Sequence, residues 1–210
     1  MHARGRCASG PTRLGGGAAA CKDRRPMTAV VQLRDFDTPT TAADMHAAAA
    51  ASRWCLELYR VAPRMHFVAE DGLRCACVFE APDAEAMRNV LRGTGFSVPR
   101  ALWSATVHMG SADRNGMFDP PAFEGALTVV ERRFVQPLAF DDIQAQEDRA
   151  AACLALHRVK FLRSYFSVDR TNMVCLYAAP DAEAVRSANR QTGLPFESVW
   201  PATVVVPGRA

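Results

Sequence analysis

Two tandem βαββαβ repeats in an α+β protein are what this 210-residue sequence predicts, and three observations carry the prediction. The decapeptide Phe79-Glu80-Ala81-Pro82-Asp83-Ala84-Glu85-Ala86-Met87-Arg88 returns, 98 positions on, as Tyr177-Ala178-Ala179-Pro180-Asp181-Ala182-Glu183-Ala184-Val185-Arg186. The same step carries Cys55 onto Cys153, Cys77 onto Cys175, Arg60 onto Arg158 and Gly95 onto Gly193, so one unit is written twice. Within each unit, strand-like and helix-like segments follow in the order β-α-β-β-α-β, the ferredoxin-like arrangement. Right-handed crossovers turn that order into a four-stranded antiparallel sheet with both helices on one face. Each sheet then has a bare apolar face, and the expectation is that the two bare faces pack together, an intramolecular version of a dimeric α+β barrel.

The first unit opens with Thr28-Ala29-Val30-Val31-Gln32-Leu33, a β-branched strand signal. Thr38-Pro39-Thr40-Thr41 breaks it and offers N-cap hydroxyls. The spacing of Met45, Ser52, Leu56 and Tyr59, with its alanine run, predicts a helix over 44–59. Strands over 61–69 and 73–79 flank Glu70-Asp71-Gly72, a tight hairpin turn. Pro82 suits the first turn of a helix ending near Gly95, and Asp83 and Glu85 face the positive end of its dipole. A strand over 103–109 closes the unit.

The second unit repeats the plan, with strands over 128–134, 160–168, 173–177 and 199–206 and helices over 140–157 and 180–192. The segment 110–125, holding Asp113, Asn115, Gly116, Pro120 and Pro121, reads as a linker. Residues 1–26 read as a disordered tail, with Met27 as the expected start of the folded chain. The resulting division is a tail over 1–26, a first repeat over 27–109, a linker over 110–125 and a second repeat over 126–207.

An apolar content of 49% and a charged content of 22% are ordinary globular values. The net charge of +3 has its excess in the tail, and no basic stripe with interleaved aromatics follows it, which disfavours nucleic acid. No apolar run reaches the roughly 18 residues of a membrane span. Seven cysteines without a secretory signal fit free thiols in a reducing compartment, so a cytoplasmic protein is expected.

Two groups of residues carry candidate chemistry. Cys75 and Cys77 are two apart on a strand, so their thiols point the same way. With His66 nearby, and Cys175 at the position that matches Cys77, they could bind a soft or borderline metal ion. The bland alternative is that these cysteines are small buried core residues. The second group is Glu131, Arg133, Arg163, Tyr165, Asp169 and Tyr177 on strands of one sheet. If their face lies between the sheets they line a polar-aromatic pocket for a small molecule; on the outer face they are a solvated pattern. No triad, phosphate loop or zinc-spaced cysteine quartet is present.

The second unit resembles a family of small bacterial ferredoxin-like domains whose characterised example is a dimeric nickel-binding protein. The residues that carry the likeness are Val130-Glu131-Arg132-Arg133-Phe134, Cys153, Ser164-Tyr165-Phe166-Ser167-Val168-Asp169, Cys175-Leu176-Tyr177-Ala178-Ala179-Pro180 and Gly193-Leu194-Pro195-Phe196. The first unit matches more loosely, with His66-Phe67 in place of Ser164-Tyr165. Family members often have histidines where this chain has Arg163 and Ala188, or Met65 and Val90. The resemblance implies nickel or another divalent metal as the bound group.

The expected function is therefore non-enzymatic binding of a metal ion or small ligand by a monomer with an internal pseudo-dimer. The second repeat would carry the site and the first would act as its packing partner. The alternative is an enzyme of the dimeric α+β barrel kind, acting on a small carbonyl or aromatic substrate held between the sheets.

Overall fold

In the computed structural model, residues 26–110, 114, 126–193 and 195–207 are described. The expected tail, apart from Pro26, and the expected linker, apart from Gly110 and Arg114, lie outside them.

The first half of the chain contributes β1 (Thr28–Asp35), α1 (Ala42–Ala51), α2 (Arg53–Leu58), β2 (Ala62–Ala69), β3 (Arg74–Ala81), α3 (Ala84–Thr94) and β4 (Ala101–Met109). The second contributes β5 (Leu127–Arg133), α4 (Phe140–Leu156), β6 (Lys160–Ser167), β7 (Asn172–Ala178), α5 (Ala182–Thr192) and β8 (Ser198–Val205).

Three boundaries differ from the sequence reading for identifiable reasons. The single helix expected over 44–59 is two, because Ser52 Oγ donates to the carbonyls of Ala48 (2.7 Å) and Ala49 (3.3 Å) and turns the chain between α1 and α2. Asp83 and Asp181 are not first-turn residues but the N-caps of α3 and α5. Each carboxylate accepts the N–H three residues on, at 2.8 Å, and each proline therefore sits before the cap. Thr41 caps α1 and closes a capping box with Asp44.

The strands close into one antiparallel barrel in the order β1-β3-β2-β8-β5-β7-β6-β4. The expectation of two bare faces packed together is refined here: the sheet edges also hydrogen-bond. His66–Ala69 of β2 pair with Ala202–Val205 of β8, and Ala105–Met109 of β4 with Arg163–Ser167 of β6. Edge pairing leaves no strand of the sheet with an open ladder.

Alternation along each strand then sorts the side chains. One set points into the barrel, where Val31, Phe67, Val78, Trp103, Val129, Tyr165, Leu176 and Trp200 form a single buried cluster. The other set points outward under the helices, in two separate clusters, one per half.

Candidate metal centre

Among the described residues, the outward face of the first half carries a dense group of reactive side chains. His66 on β2 lies directly across from Cys77 on β3, and Cys75 shares that face two residues away. All three are buried, at 4%, 2% and 1% exposure. Their Nδ1 or Nε2 and Sγ atoms all fall within 4.8 Å of one another, and the two sulfurs are 3.3 Å apart. His66 Nδ1 is buried with no hydrogen-bond partner among the described residues, while the ring edge rests on Phe79 at 5.8 Å.

Two β1 residues complete the surroundings, Gln32 opposite Cys77 and Arg34 opposite Cys75. Arg34 Nη2 donates to Ser97 O at 2.9 Å, and the guanidinium lies 5.7 Å from the Phe96 ring centre. Turning the Gln32 amide over places its oxygen 3.0 Å from the same Nη2, as an acceptor.

This packing divides the two thiols electrostatically. The hydrogen bond with Cys77, and then burial, push Cys75 well above the ordinary thiol range. The hydrogen bond from Cys75, helped by His66 and Arg34, holds Cys77 below that range despite its burial. The pair thus behaves as two sulfurs sharing one proton. Burial in turn lowers the Arg34 value.

The donor set suits a thiophilic ion. Two sulfurs and an imidazole nitrogen are what zinc, nickel and copper take from proteins. The 3.3 Å between the sulfurs falls short of the roughly 3.8 Å spanned by two thiolates bonded at about 2.3 Å in a tetrahedral site. A small rotation of either side chain closes that gap. His66 and Cys77 also line a cavity of about 260 Å³, closed over by α1 and α3 through Met45, Met87 and Val90.

The second half places its counterparts differently. Cys175, at the position of Cys77, faces the helices of its own half, with Ser164 across from it where the first half has His66. Met173 stands where Cys75 would be. The cation here is the buried Arg132, whose Nε donates to Cys175 Sγ at 3.4 Å. Its Nη1 donates to Pro195 O at 2.5 Å, and its Nη2 to Tyr177 Oη at 3.1 Å and Asn189 Oδ1 at 2.6 Å. Burial pushes the Cys175 thiol and the Tyr177 phenol up from their ordinary values. Cys175 is therefore not brought to His66, Cys75 and Cys77, and the three clustered donors all belong to the first half.

The six residues expected to share a pocket are spread over both faces and the barrel end. Tyr165 and Glu131 turn into the barrel. Tyr165 Oη contacts Met65 Sδ of the other half at 3.7 Å and Arg163 Nη1 at 3.4 Å. Glu131 accepts from Arg100 Nη2 at 2.6 Å and Trp200 Nε1 at 2.9 Å. Tyr177 is on the helix-covered face with Arg132, and Arg133 is exposed. Asp169 closes the β6–β7 turn, accepting from Ser167 Oγ at 2.5 Å and Thr171 Oγ1 at 2.8 Å.

Arg34 and Gln32 flank the donors without any motif of their own in the sequence. The alternation of β1 and the recurrence of Arg34 as Arg132 were the available signals.

Residues 129–201, about a third of the chain, match the family described as Nickel responsive protein SCO4226-like. No curated protein matches the chain significantly. Among solved structures, a variant chlorite dismutase from Candidatus Nitrospira defluvii is similar at 9% identity and a TM-score of 0.48, over 85% of this chain and 90% of that one. A heme-binding protein from Thermus thermophilus is similar at 10% identity and a TM-score of 0.43, over 85% and 92%. An anthrone oxidase-like protein is similar at 10% identity and a TM-score of 0.40, over 89% and 95%.

Proposed function

We propose that this protein is a non-enzymatic binder of a thiophilic divalent ion, nickel or a chemically close metal, held by His66, Cys75 and Cys77. The observation that carries the reading is the buried pair of sulfurs, 3.3 Å apart, beside an imidazole nitrogen with no partner among the described residues. Cysteines serving only as packing do not need such a neighbour, and a buried imidazole nitrogen left unpaired is costly. A nickel-responsive family matches residues 129–201, the half that packs against the donors rather than the half that holds them.

A bound ion supplies positive charge at the point where the two sulfurs meet, and the chain supplies the rest. Cys77 offers a sulfur already inclined to the thiolate, and Cys75 gives up the shared proton. Arg34, held by Ser97, favours the anionic form of the sulfurs before any ion arrives. The 260 Å³ cavity reaches His66 and Cys77 beneath α1 and α3.

On this reading the chain is a fusion of two ferredoxin-like units in a reducing, cytoplasmic setting, in which the donors lie on one unit while Ser164, Met173 and Cys175 hold the equivalent places on the other. The barrel interior suits this reading better than a substrate site between the sheets, because Tyr165 and Glu131 are engaged by neighbours there.

Metal analysis of the tag-free protein, with a calorimetric titration of nickel and of zinc, tests the proposal. The expected result is one ion per chain, with affinity reduced at least about 100-fold in Cys75→Ala/Cys77→Ala and unchanged in Cys175→Ala. Equal binding by the wild type and the double variant would overturn it.

A further inference from the structure

A second, larger cleft lies on the other half, between α4 and the outward face of β6 and β7, with a volume of about 990 Å³. Its wall is one stripe of α4 and the turn that ends it. Glu147, Ala151, Leu154, Ala155 and Arg158 all line it, at the three- and four-residue spacing that puts side chains on one helix face. From Glu147 to the end of α4 the wall runs for about 14 Å at about 1.5 Å per residue, so the cleft is elongated.

Its two ends differ chemically. At one end His108, 9% exposed, is paired with Glu147, Nε2 to Oε2 at 3.0 Å. The imidazole is held between Phe161, stacked at 5.8 Å, and Phe140, edge-on at 4.9 Å. At the other end, past α4, are the exposed cations Arg158 and Lys160; Arg114 and Asp148, of opposite charge, also line the cleft. Small alanines make the middle. The first half has no copy of this arrangement, since Val206 stands at the position of His108 and Ala62 at that of Lys160.

A buried imidazole–carboxylate pair facing a cleft is an acceptor for a donor group, and two cations at the far end attract an acid. We infer that this cleft is a second ligand site, for an elongated organic acid whose carboxylate meets Arg158 and Lys160 and whose other end donates a hydrogen bond to the His108–Glu147 pair. It is separate from the cysteine cluster and holds its ligand without metal. Burial raises the Glu147 value, as expected of a carboxyl partly shielded from water.

The probe is 10-hydroxydecanoate, titrated into the full-length protein by calorimetry and followed by imidazole nitrogen NMR. Saturable one-to-one binding with a shifted His108 resonance is expected. The neutral analogue 1,10-decanediol, and separately Arg158→Gln/Lys160→Gln with the acid, should each bind at least about tenfold more weakly. Both substitutions are at exposed positions, so the double variant is expected to fold, and circular dichroism checks that. Absence of saturable binding, equal affinity for the diol, an unchanged double variant, or binding without the His108 shift would each overturn the assignment.

Discussion

Cys75 and Cys77 sit two residues apart on one strand, yet their surroundings push their protons in opposite directions. Much of this was legible in the sequence. A Cys-x-Cys pair on a strand shares a face whatever the tertiary structure, and a histidine on the adjacent hairpin strand falls within reach of it. What could not be read was which residue of β1 lies opposite, because that depends on sheet register; Arg34 and Gln32 enter the site only through it. The repeat held the clue to Cys175. A residue equivalent to Cys77 must occupy the equivalent place on the other half, hence under other helices.

There the balance differs, and it gives a pH prediction. The folded Tyr177 phenol is raised by burial above its ordinary value of about 10. Its contribution to stability is therefore full below about pH 10 and is lost as pH climbs above that, where the unfolded phenol ionises first. Tyr177→Phe should flatten the fall of unfolding free energy at alkaline pH by up to about 1.4 kcal/mol per pH unit. Denaturant titrations between neutral pH and the alkaline limit check this, and an unchanged slope counts against it.

The helix junctions show how local signals set the elements over the cluster. Sequence fits Asp83 and Asp181 equally as dipole partners or as caps, and the structure makes them caps, a distinction that turns on one residue of backbone geometry. Asp83→Ala should cost about 1 kcal/mol. Because α3 carries Met87 and Val90 over the 260 Å³ cavity, the same change should also speed exchange of the α3 amides.

The ends of α2 and α4 are less economical. Arg60 and Arg158 both adopt φ 57°, a left-handed conformation that favours glycine. At each, the next residue's N–H reaches back to the helix, Val61 to Leu56 O and Val159 to Leu154 O, both at 2.8 Å. Arg60→Gly should therefore raise stability by about 1 kcal/mol, read as a shift in the denaturation midpoint at constant slope. Sequence alone marks these positions as identical in the two units but cannot show their backbone sign, since arginine is a poor indicator of positive φ.

Barrel closure joins the two halves through backbone ladders as well as through a common interior. The β2–β8 and β4–β6 pairings, and the Tyr165–Met65 and Arg100–Glu131 contacts, all cross between them. A half taken alone would expose two strand edges and the apolar face that now includes Phe67, Trp103, Val129 and Trp200. The sequence repeat announced that two bare faces needed cover; it could not announce the edge ladders, which involve no side-chain pattern of their own.

The consequence is cooperativity. Unfolding should be a single transition, coincident by tryptophan fluorescence and far-ultraviolet circular dichroism. Metal bound in the first half should then stabilise the second. At a free ion concentration 100 times the dissociation constant the gain is about 2.7 kcal/mol, and it should appear as slower exchange of globally protected amides in β5 and β7 as well as in β2 and β3. Protection confined to the first half, or two separated transitions, would mean that the edge ladders do not couple the halves.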